Sequence, residues 1–289
     1  MTAVKTDNKF SFFSSGDFPL KILRMPRHNE TRLHTHDFSE LVIITGGSAV
    51  HFTGQSEHTV MAGNIFVLKG ADEHGYRETR NLELINIIFK NDRLGIPLWD
   101  IAGLQGYQAL FRVEPGYRRY YSGESGLRLS VDEMRNLLVL VQNLEKELDS
   151  PPENGAWYSA CAVFMQIIIF LSRHYGMNKK LQNAKVCRIS DLLGYMEKNY
   201  AEKISLDSLV RRSFCSLSTL RRIFIEVTGY APIDYLLHLR IQKAGLLLRQ
   251  NIPVSAAAFA CGFDDSNYFS RQFKKITGCS PREYRLRIL

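Results

Sequence analysis

A stretch of fourteen residues near the carboxyl end of the chain, 222–235, recurs 49 positions later as residues 271–284. Six of the fourteen positions are identical, among them Arg222/Arg271, Gly229/Gly278 and Pro232/Pro281. A repeat of this length is one supersecondary unit that is used twice. The repeat therefore constrains the last third of the chain to two copies of one small fold.

Each copy predicts a short helix, a tight turn and a longer helix, over residues 206–228 and 254–277. Ser205 and Ser216 are suitable amino-terminal caps, and the two repeated glycines follow the last apolar position of each longer helix. The two repeated prolines then stand where a following helix would begin, because the first helical residue needs no N–H group. This order of elements is typical of a helix-turn-helix unit.

The longer helices place similar polar side chains opposite their apolar faces. In the first copy these are Ser218, Arg221 and Arg222, and the shift of 49 residues carries them to Asn267, Ser270 and Arg271. Such a face suits base edges and phosphates in a major groove, although a solvated helix surface has the same composition. Two faces with one layout favour a pair of DNA-reading units. Because only the arginine is shared, they predict two unlike base sequences for each subunit.

The charge of the chain agrees with this assignment. The 289 residues carry a net charge of +8. Residues 189–289 hold 15 Lys and Arg against 9 Asp and Glu, which gives +6, whereas residues 1–188 hold 22 against 20. The basic excess lies in the repeated region, as expected for a part that meets a polyanion. The five scattered cysteines and the absence of a signal-like amino terminus predict a cytoplasmic protein with no membrane partner.

The first third of the chain predicts a β-rich domain. Short apolar segments at 41–45, 49–53, 65–68 and 82–89 are divided by turn signals such as Gly46-Gly47 and Gly63. This spacing favours an antiparallel barrel or sandwich, whereas residues 91–128 give no clear pattern. The predicted fold class is thus α+β and multidomain, with a β-barrel, two following helices and an all-α carboxyl-terminal domain.

Two helices are predicted after the β-rich domain, at residues 130–149 and 157–175, with Ser130 and Glu133 forming a capping box. The first helix carries an apolar seam that is either packing within the chain or a dimer contact, formed by Met134, Leu137, Val141, Leu144 and Leu148. The second is apolar nearly all round and predicts a buried helix. Residues 176–188 are polar and predict a linker.

The carboxyl-terminal third, residues 189–287, resembles the DNA-binding domain of the AraC/XylS family of bacterial transcription regulators. The resemblance is strongest in residues 254–284, with Gly262-Phe263, Ser266-Asn267-Tyr268-Phe269 and Ser280-Pro281, and weaker at Val210, Phe214-Cys215 and Ala257. It implies a homodimeric activator that binds direct half-sites in double-stranded DNA and works with RNA polymerase. It also implies the residues that would face DNA: Ser218, Arg221, Arg222, Ser266, Asn267, Ser270 and Arg271.

A group of polar residues in the β-rich region has its own spacing: His34-Thr-His36, Glu40 after three further residues, Gly47 after six more, and a later His74. This pattern resembles the first cupin motif and a degraded second one, and the surrounding stretches are most similar to L-rhamnose-responsive regulators. The resemblance implies a small effector, often a sugar, held by these four residues without a metal ion. Ordinary core packing and a first-row metal site are the alternatives. His28, His51 and His58 are predicted to lie at the surface.

The resulting domain prediction is a cupin-like effector domain at 1–128, a helical connector at 129–175, a linker at 176–188 and a DNA-binding domain at 189–289. No phosphate-binding loop, nucleophile elbow or zinc-protease helix is present in the sequence, so the chain is predicted not to be an enzyme and to need no cofactor. A metal-dependent cupin enzyme fused to a DNA-binding domain is the alternative.

Overall fold

A computed structural model describes residues 4–6, 9–122, 126–177 and 184–286. The chain separates into two compact units, Met1–Ser190 and Asp191–Leu289. The first is rich in β-structure and ends in helices, and the second is helical. This agrees with the predicted α+β multidomain class.

The sheet of the first unit has nine strands, in the order β1-β2-β4-β8-β5-β7-β9, with β3 on β8 and β6 on β5. Two long strands, β5 and β8, hold it together because each pairs with three or more others. The strands are β1 Val4–Thr6, β2 Lys9–Ser11, β3 Leu20–Met25, β4 Thr31–His36, β5 Ser39–Thr53, β6 Glu57–Met61, β7 Asn64–Leu68, β8 His74–Phe89 and β9 Leu127–Arg128.

Gly46-Gly47 was predicted to be a turn between two strands, and this prediction is wrong. β5 runs through both residues for 15 positions, and its register against β8 shifts on either side of Gly46. Gly47 has a φ of 67°. A Cβ atom there would lie 2.1 Å from the carbonyl oxygen of Asn81. The glycines therefore permit a bulge that bends a continuous strand around the core, rather than a chain reversal.

The segment 91–120, part of the region 91–128 for which the sequence gives no clear pattern, forms a series of short helices. They cover one side of the sheet, where the buried Arg118 guanidinium lies 4.1 Å from the ring centroid of Phe66. Glu114 accepts a hydrogen bond of 2.7 Å from the hydroxyl of Tyr175. The helices are α1 Asn91–Leu94, a 3-10 turn Ile101–Gly103, α2 Gln105–Tyr107, a π-helical turn Gln108–Val113 and α3 Glu114–Tyr120.

The two connector helices are α4 Val131–Leu148 and α5 Ala156–Met177. The capping box of Ser130 and Glu133 is present as predicted. The apolar seam of α4 packs inside the same chain: Leu137, Val141 and Leu144 are fully buried, and α4 lies against α5. Met134 and Leu148 are half-buried. The proposed dimer seam is thus corrected, because three of its five side chains have no surface to offer a second subunit.

Helix α5 is longer than predicted. Its stretch Ala156–Tyr175 is, among the described residues, the one helix long and apolar enough to cross a membrane. Core helices of soluble proteins meet the same criterion. Here Phe164 lies 5.1 Å from Phe89 of β8, ring centroid to ring centroid, and Ile167 and Leu171 are fully buried. One side of α5 is accordingly core.

The predicted linker is shorter than residues 176–188. Gly176 and Met177 still belong to α5, and α6 Ala184–Asn199 begins before the expected end of the linker. Val186 and Ile189 are buried in that helix. Residues 178–183, the middle of the predicted linker, lie outside the described residues.

The second unit contains both copies of the repeat. The first copy is α7 Leu206–Ser213 with α8 Leu217–Thr228, the second is α10 Val254–Ala260 with α11 Ser266–Thr277, and α9 Pro232–Arg249 and α12 Pro281–Leu286 follow them. The caps are as predicted: Ser205 and Ser216 accept bonds from the backbone, and Gly229 and Gly278 are left-handed with φ of 80° and 81°. Helix α9 has 18 residues and spans about 27 Å at 1.5 Å per residue.

Candidate functional site

The four residues predicted to bind an effector come together on three strands. His34 and His36 lie on β4, Glu40 on β5 and His74 on β8. His34 is paired directly with His74 across the β4–β8 ladder. His34 and His36 point to the same side because side chains alternate along a strand. All four line one cavity.

A close approach between two backbones holds this cluster in place. The amide of His36 donates a hydrogen bond of 2.9 Å to the carbonyl of Gly70. A Cβ atom at Gly70 would lie 2.6 Å from the carbonyl oxygens of both His36 and Phe38. Only glycine fits at this position, because any Cβ atom would collide with those carbonyl oxygens.

Glu40 is the one acidic residue of the cluster and lies between two of its histidines. Its carboxylate oxygens lie 3.6 Å from His36 Nε2 and 3.9 Å from His74 Nε2. Burial raises the pKa of Glu40 to about 8, and burial lowers the pKa of His36 to about 4. The pKa of His74 also lies well below its usual value because the ring is buried. At neutral pH burial thus favours the protonated form of Glu40 and the neutral forms of His36 and His74.

The cavity has a volume of about 400 Å³ and combines apolar walls with polar groups that lack protein partners. Buried polar atoms are normally hydrogen-bonded, so a group of unsatisfied atoms around one cavity suggests a polar ligand. Four such atoms belong to residues that line it: His28 Nδ1, His36 Nε2, the Tyr76 hydroxyl and Asn86 Oδ1.

Sequence reasoning missed three of these residues. His28 was expected at the surface, whereas its ring is partly buried and lines the cavity. Tyr76 lies two residues after His74 on β8 and so faces the same way, a signal that was available. Asn86 is a lone amide in the apolar run of β8 and donates to Glu40 Oε2 at 3.4 Å.

His51 and His58 are also buried, so the prediction that they lie at the surface is wrong. They form a cross-strand pair of β5 and β6, and every second residue of β6 points inward. His58 Nε2 bonds to the carbonyl of Arg118 at 2.9 Å. Five further aromatic residues, which by type could stack on a sugar ring, do not line the cavity: Trp99, Tyr107, Tyr117, Tyr120 and Tyr121.

Three residues of the cluster could hold a metal ion. His36, Glu40 and His74 each offer one ligand atom, and these atoms lie within 4.8 Å of one another. His34 lines the same cavity, with its ring centroid 4.4 Å from that of His74.

The predicted DNA-facing residues lie on the outward sides of α8 and α11. In α8, Ser218, Arg221 and Arg222 are exposed, opposite the buried Leu220, Phe224 and neighbours. Arg222 forms an ion pair of 3.0 Å with Glu226, one turn further along the helix. The first face therefore presents one arginine that is already engaged within its own helix.

The second face is less constrained. Asn267 and Arg271 are exposed, and Ser266 and Ser270 are half-buried. The hydroxyl of Ser270 donates to the carbonyl of Ser266 at 2.9 Å. Arg271 makes no ion pair among the described residues. Lys274 and Lys275 follow it on the exposed side.

Comparison with known proteins gives two domain matches. Residues 20–128 match the AraC-like ligand binding domain, and residues 209–287 match a helix-turn-helix domain. Among solved structures, the DNA-binding domain of AdpA in complex with a target DNA is 27% identical, with a TM-score of 0.33, over 34% of this chain and 90% of that one. Apo ToxT K231A from Vibrio cholerae is 14% identical, with a TM-score of 0.35, over 93% and 97%.

Curated relatives match along the whole chain. The HTH-type transcriptional activator RhaR of Mannheimia succiniciproducens is 29% identical and covers 100% of this chain and 99% of its own length. RhaS of Citrobacter koseri is 31% identical over 95% of this chain and 94% of its own, and RhaS of Escherichia coli O1:K1 is 32% identical over 95% and 94%. The chain belongs to the AraC-type family of helix-turn-helix transcription regulators.

Proposed function

We propose that this regulator is a cytoplasmic, dimeric transcription activator that binds a small polyhydroxylated effector, such as a sugar, in the cavity of its β-rich unit. Effector binding shifts the population of arrangements between the two units and so controls how the helix-turn-helix pairs engage direct half-sites next to RNA polymerase. Activation rather than repression is inferred from the relatives, whose names describe transcriptional activators.

The observation that carries the effector proposal is the set of buried polar atoms without a protein partner. They are imidazole, phenol and amide groups, which together offer donors and acceptors at several points of one cavity. Phe10 and Phe12 add apolar walls to the same cavity. A polyol matches this combination because its hydroxyls can both donate and accept, while its C–H faces are apolar.

The DNA part rests on the two exposed helix faces with unlike side chains. Ser218, Arg221 and Arg222 belong to one face, whereas Ser266, Asn267, Ser270 and Arg271 belong to the other. Different donors and acceptors select different base edges. Each subunit is therefore proposed to read an asymmetric half-site.

The effector proposal is tested by thermal unfolding of the full chain with a panel of sugars, since a compound that binds only the folded state raises the midpoint. Tyr76→Phe removes the unpartnered hydroxyl of a residue that lines the cavity and should weaken binding about 2- to 10-fold. Tyr107→Phe, a buried tyrosine outside the cavity, is the matched control. Equal affinities for the two variants would contradict the assignment of the cavity.

Dimerisation is tested by sedimentation velocity of the full chain, alone and with a selected DNA site. Leu137, Val141 and Leu144 are buried within one chain. Polar substitutions at these positions would disrupt the packing of α4 on α5, so they cannot be used to test whether two chains associate. We expect two chains per DNA molecule that carries two direct half-sites. Binding of one chain only would contradict the dimer.

A further inference from the structure

The β-rich unit contains a second cavity, separate from the one that His34, His36, Glu40 and His74 line. This second cavity has a volume of about 100 Å³. It is lined by residues of β5, β7 and β8, of the segment 91–112 and of helix α5. No described residue lines both cavities. A molecule bound here would therefore be a second ligand, and its binding does not depend on the proposed effector.

The charged side chains of the second cavity are positive. Lys69 and Arg112 line it, and among the described residues no Asp or Glu does so. Lys69 is half-buried. Its amino group forms no hydrogen bond or ion pair within the part of the chain that the structure describes. Lysine is rarely buried without a partner, so the cavity offers an unsatisfied cation.

The electrostatic surroundings of Lys69 favour a negative ligand. Burial and the charge of Arg112 lower the pKa of Lys69. Asp72 acts in the opposite direction, but its carboxylate already pairs with Arg119 at 3.1 Å. An anion in the cavity would offset the repulsion between Lys69 and Arg112 and would accept charge-assisted hydrogen bonds from them.

The other walls of the second cavity are mostly apolar. Val67 of β7 and Phe164 and Ile168 of α5 are buried there, and Ser39 and Asn91 add two small polar groups. An apolar cavity of about 150 Å³ holds one benzene molecule. By the same measure the second cavity has room for roughly four to six non-hydrogen atoms. These walls suit a molecule that is charged at one end and apolar at the other.

We propose that the second cavity binds a small monocarboxylate with a short apolar chain. Its carboxylate lies at Lys69 and Arg112, and its chain lies against α5. Because α5 forms one wall, the bound acid adds contacts between this helix and the sheet. The regulator then takes two chemically different small molecules, one polyhydroxylated and one an organic acid, in separate cavities.

The charge requirement is tested with full-length protein and sodium propionate at constant ionic strength, by calorimetry and ligand-observed NMR. We expect one propionate per chain. Propionamide, which has nearly the same shape and no charge, should bind at least about tenfold more weakly. Equal binding of the two compounds, or no binding of propionate, would overturn the proposal. Tighter binding of inorganic phosphate than of propionate would overturn the assignment to a carboxylate.

The position of the site is tested with Lys69→Met, which removes the charge and keeps an apolar stem. This variant should bind propionate at least about tenfold more weakly. Its urea midpoint without propionate should rise, because a desolvated cation is removed. A purely structural lysine would instead give a lower midpoint and an unchanged affinity. Lys146→Met, at an exposed position of α4, is the matched control.

Equal propionate affinities of Lys69→Met and Lys146→Met would contradict the site. If Lys69→Met does not fold, the comparison of propionate with propionamide on the wild type decides.

Discussion

The two helix-turn-helix copies of this chain share their interiors and differ at their surfaces. Phe224 and Phe273 occupy equivalent positions and are both fully buried, and each packs edge-on against the tyrosine of its own copy, Tyr235 or Tyr284. The left-handed glycine caps are alike as well. The repeat therefore preserves what folding requires, because core volume and helix termination tolerate little change.

The turns of the two copies differ more than the sequence suggests. In the second copy Gly262 is the left-handed residue, and Phe263 after it is 4% exposed. In the first copy the left-handed residue comes one position later, at Phe214, which is 81% exposed. Phe214 and Phe263 occupy equivalent positions of the repeat, but Phe263 belongs to the core and Phe214 lies at the surface.

The charges on the exposed faces of α8 and α11 differ too. Ile225 and Glu226 of α8 correspond to Lys274 and Lys275 of α11. Glu226 pairs with Arg222, whereas Arg271 lies beside two further cations. The second copy consequently presents the stronger positive field to a phosphate backbone.

The largest effects are expected at the turn of the second copy, which contains Gly262 and Phe263. Gly262→Ala should lower the free energy of unfolding by at least about 2 kcal/mol, because its φ of 77° is left-handed. The new Cβ would also lie 2.4 Å from the carbonyl oxygen of Ala201. Urea unfolding measures the loss. Ser213→Ala, at the equivalent position of the first copy, should cost only about 1 kcal/mol for its hydrogen bond to Val210. Similar losses would show that the two turns do not differ as described.

An intermediate effect is expected on DNA affinity. Arg271→Ala should weaken binding to a selected site by about 1–3 kcal/mol, and to a scrambled duplex much less. Arg222→Ala should cost less, since Arg222 must leave Glu226 before it can contact a base. Fluorescence anisotropy gives both affinities. Glu226→Ala serves as the control and should tighten binding by releasing Arg222. If the two arginine variants lose the same amount of DNA affinity, the ion pair between Arg222 and Glu226 does not weaken the DNA contact of the first copy.

The smallest effect is expected at Phe214. Phe214→Gly should raise the free energy of unfolding by about 0.5–1 kcal/mol, because glycine accepts a φ of 52° without strain. Phe263→Gly, in contrast, removes a buried side chain and should lower the free energy of unfolding by about 3–5 kcal/mol. A lower free energy of unfolding for Phe214→Gly would indicate that the exposed ring makes a stabilising contact.

The sequence predicts a feature correctly where a residue type and its near neighbours determine the local backbone structure. The glycine caps, the helix-opening prolines and the capping box of Ser130 depend on a few neighbouring residues, and all are as predicted. The grouping of His34, His36, Glu40 and His74 follows from the resemblance of their spacing to the cupin motif, and the four side chains do line one cavity.

It failed where the outcome depends on distant parts of the chain. Gly46-Gly47 has the composition of a turn, but whether β5 continues is decided by its pairing with β8. His58 is polar, yet its ring is buried and bonds to the carbonyl of Arg118 in α3, a helix for which the sequence gives no recognisable pattern. The apolar seam of α4 could pack within the chain or against a second subunit. Only the position of α5, which lies against α4, distinguishes the two.

Helix α9 has a consequence for how such a regulator can change over generations. It packs against helices of both copies, through Tyr235 beside Phe224 and through Ile241 and Leu248 in the core with Phe273. Helices α8 and α11 thus both pack against one helix. If their outward residues contact bases as proposed, a substitution at Ser218 or Asn267 changes the base preference and leaves the spacing between the two contacted segments as it is. Under that proposal, single substitutions give new target sequences but not new target spacings.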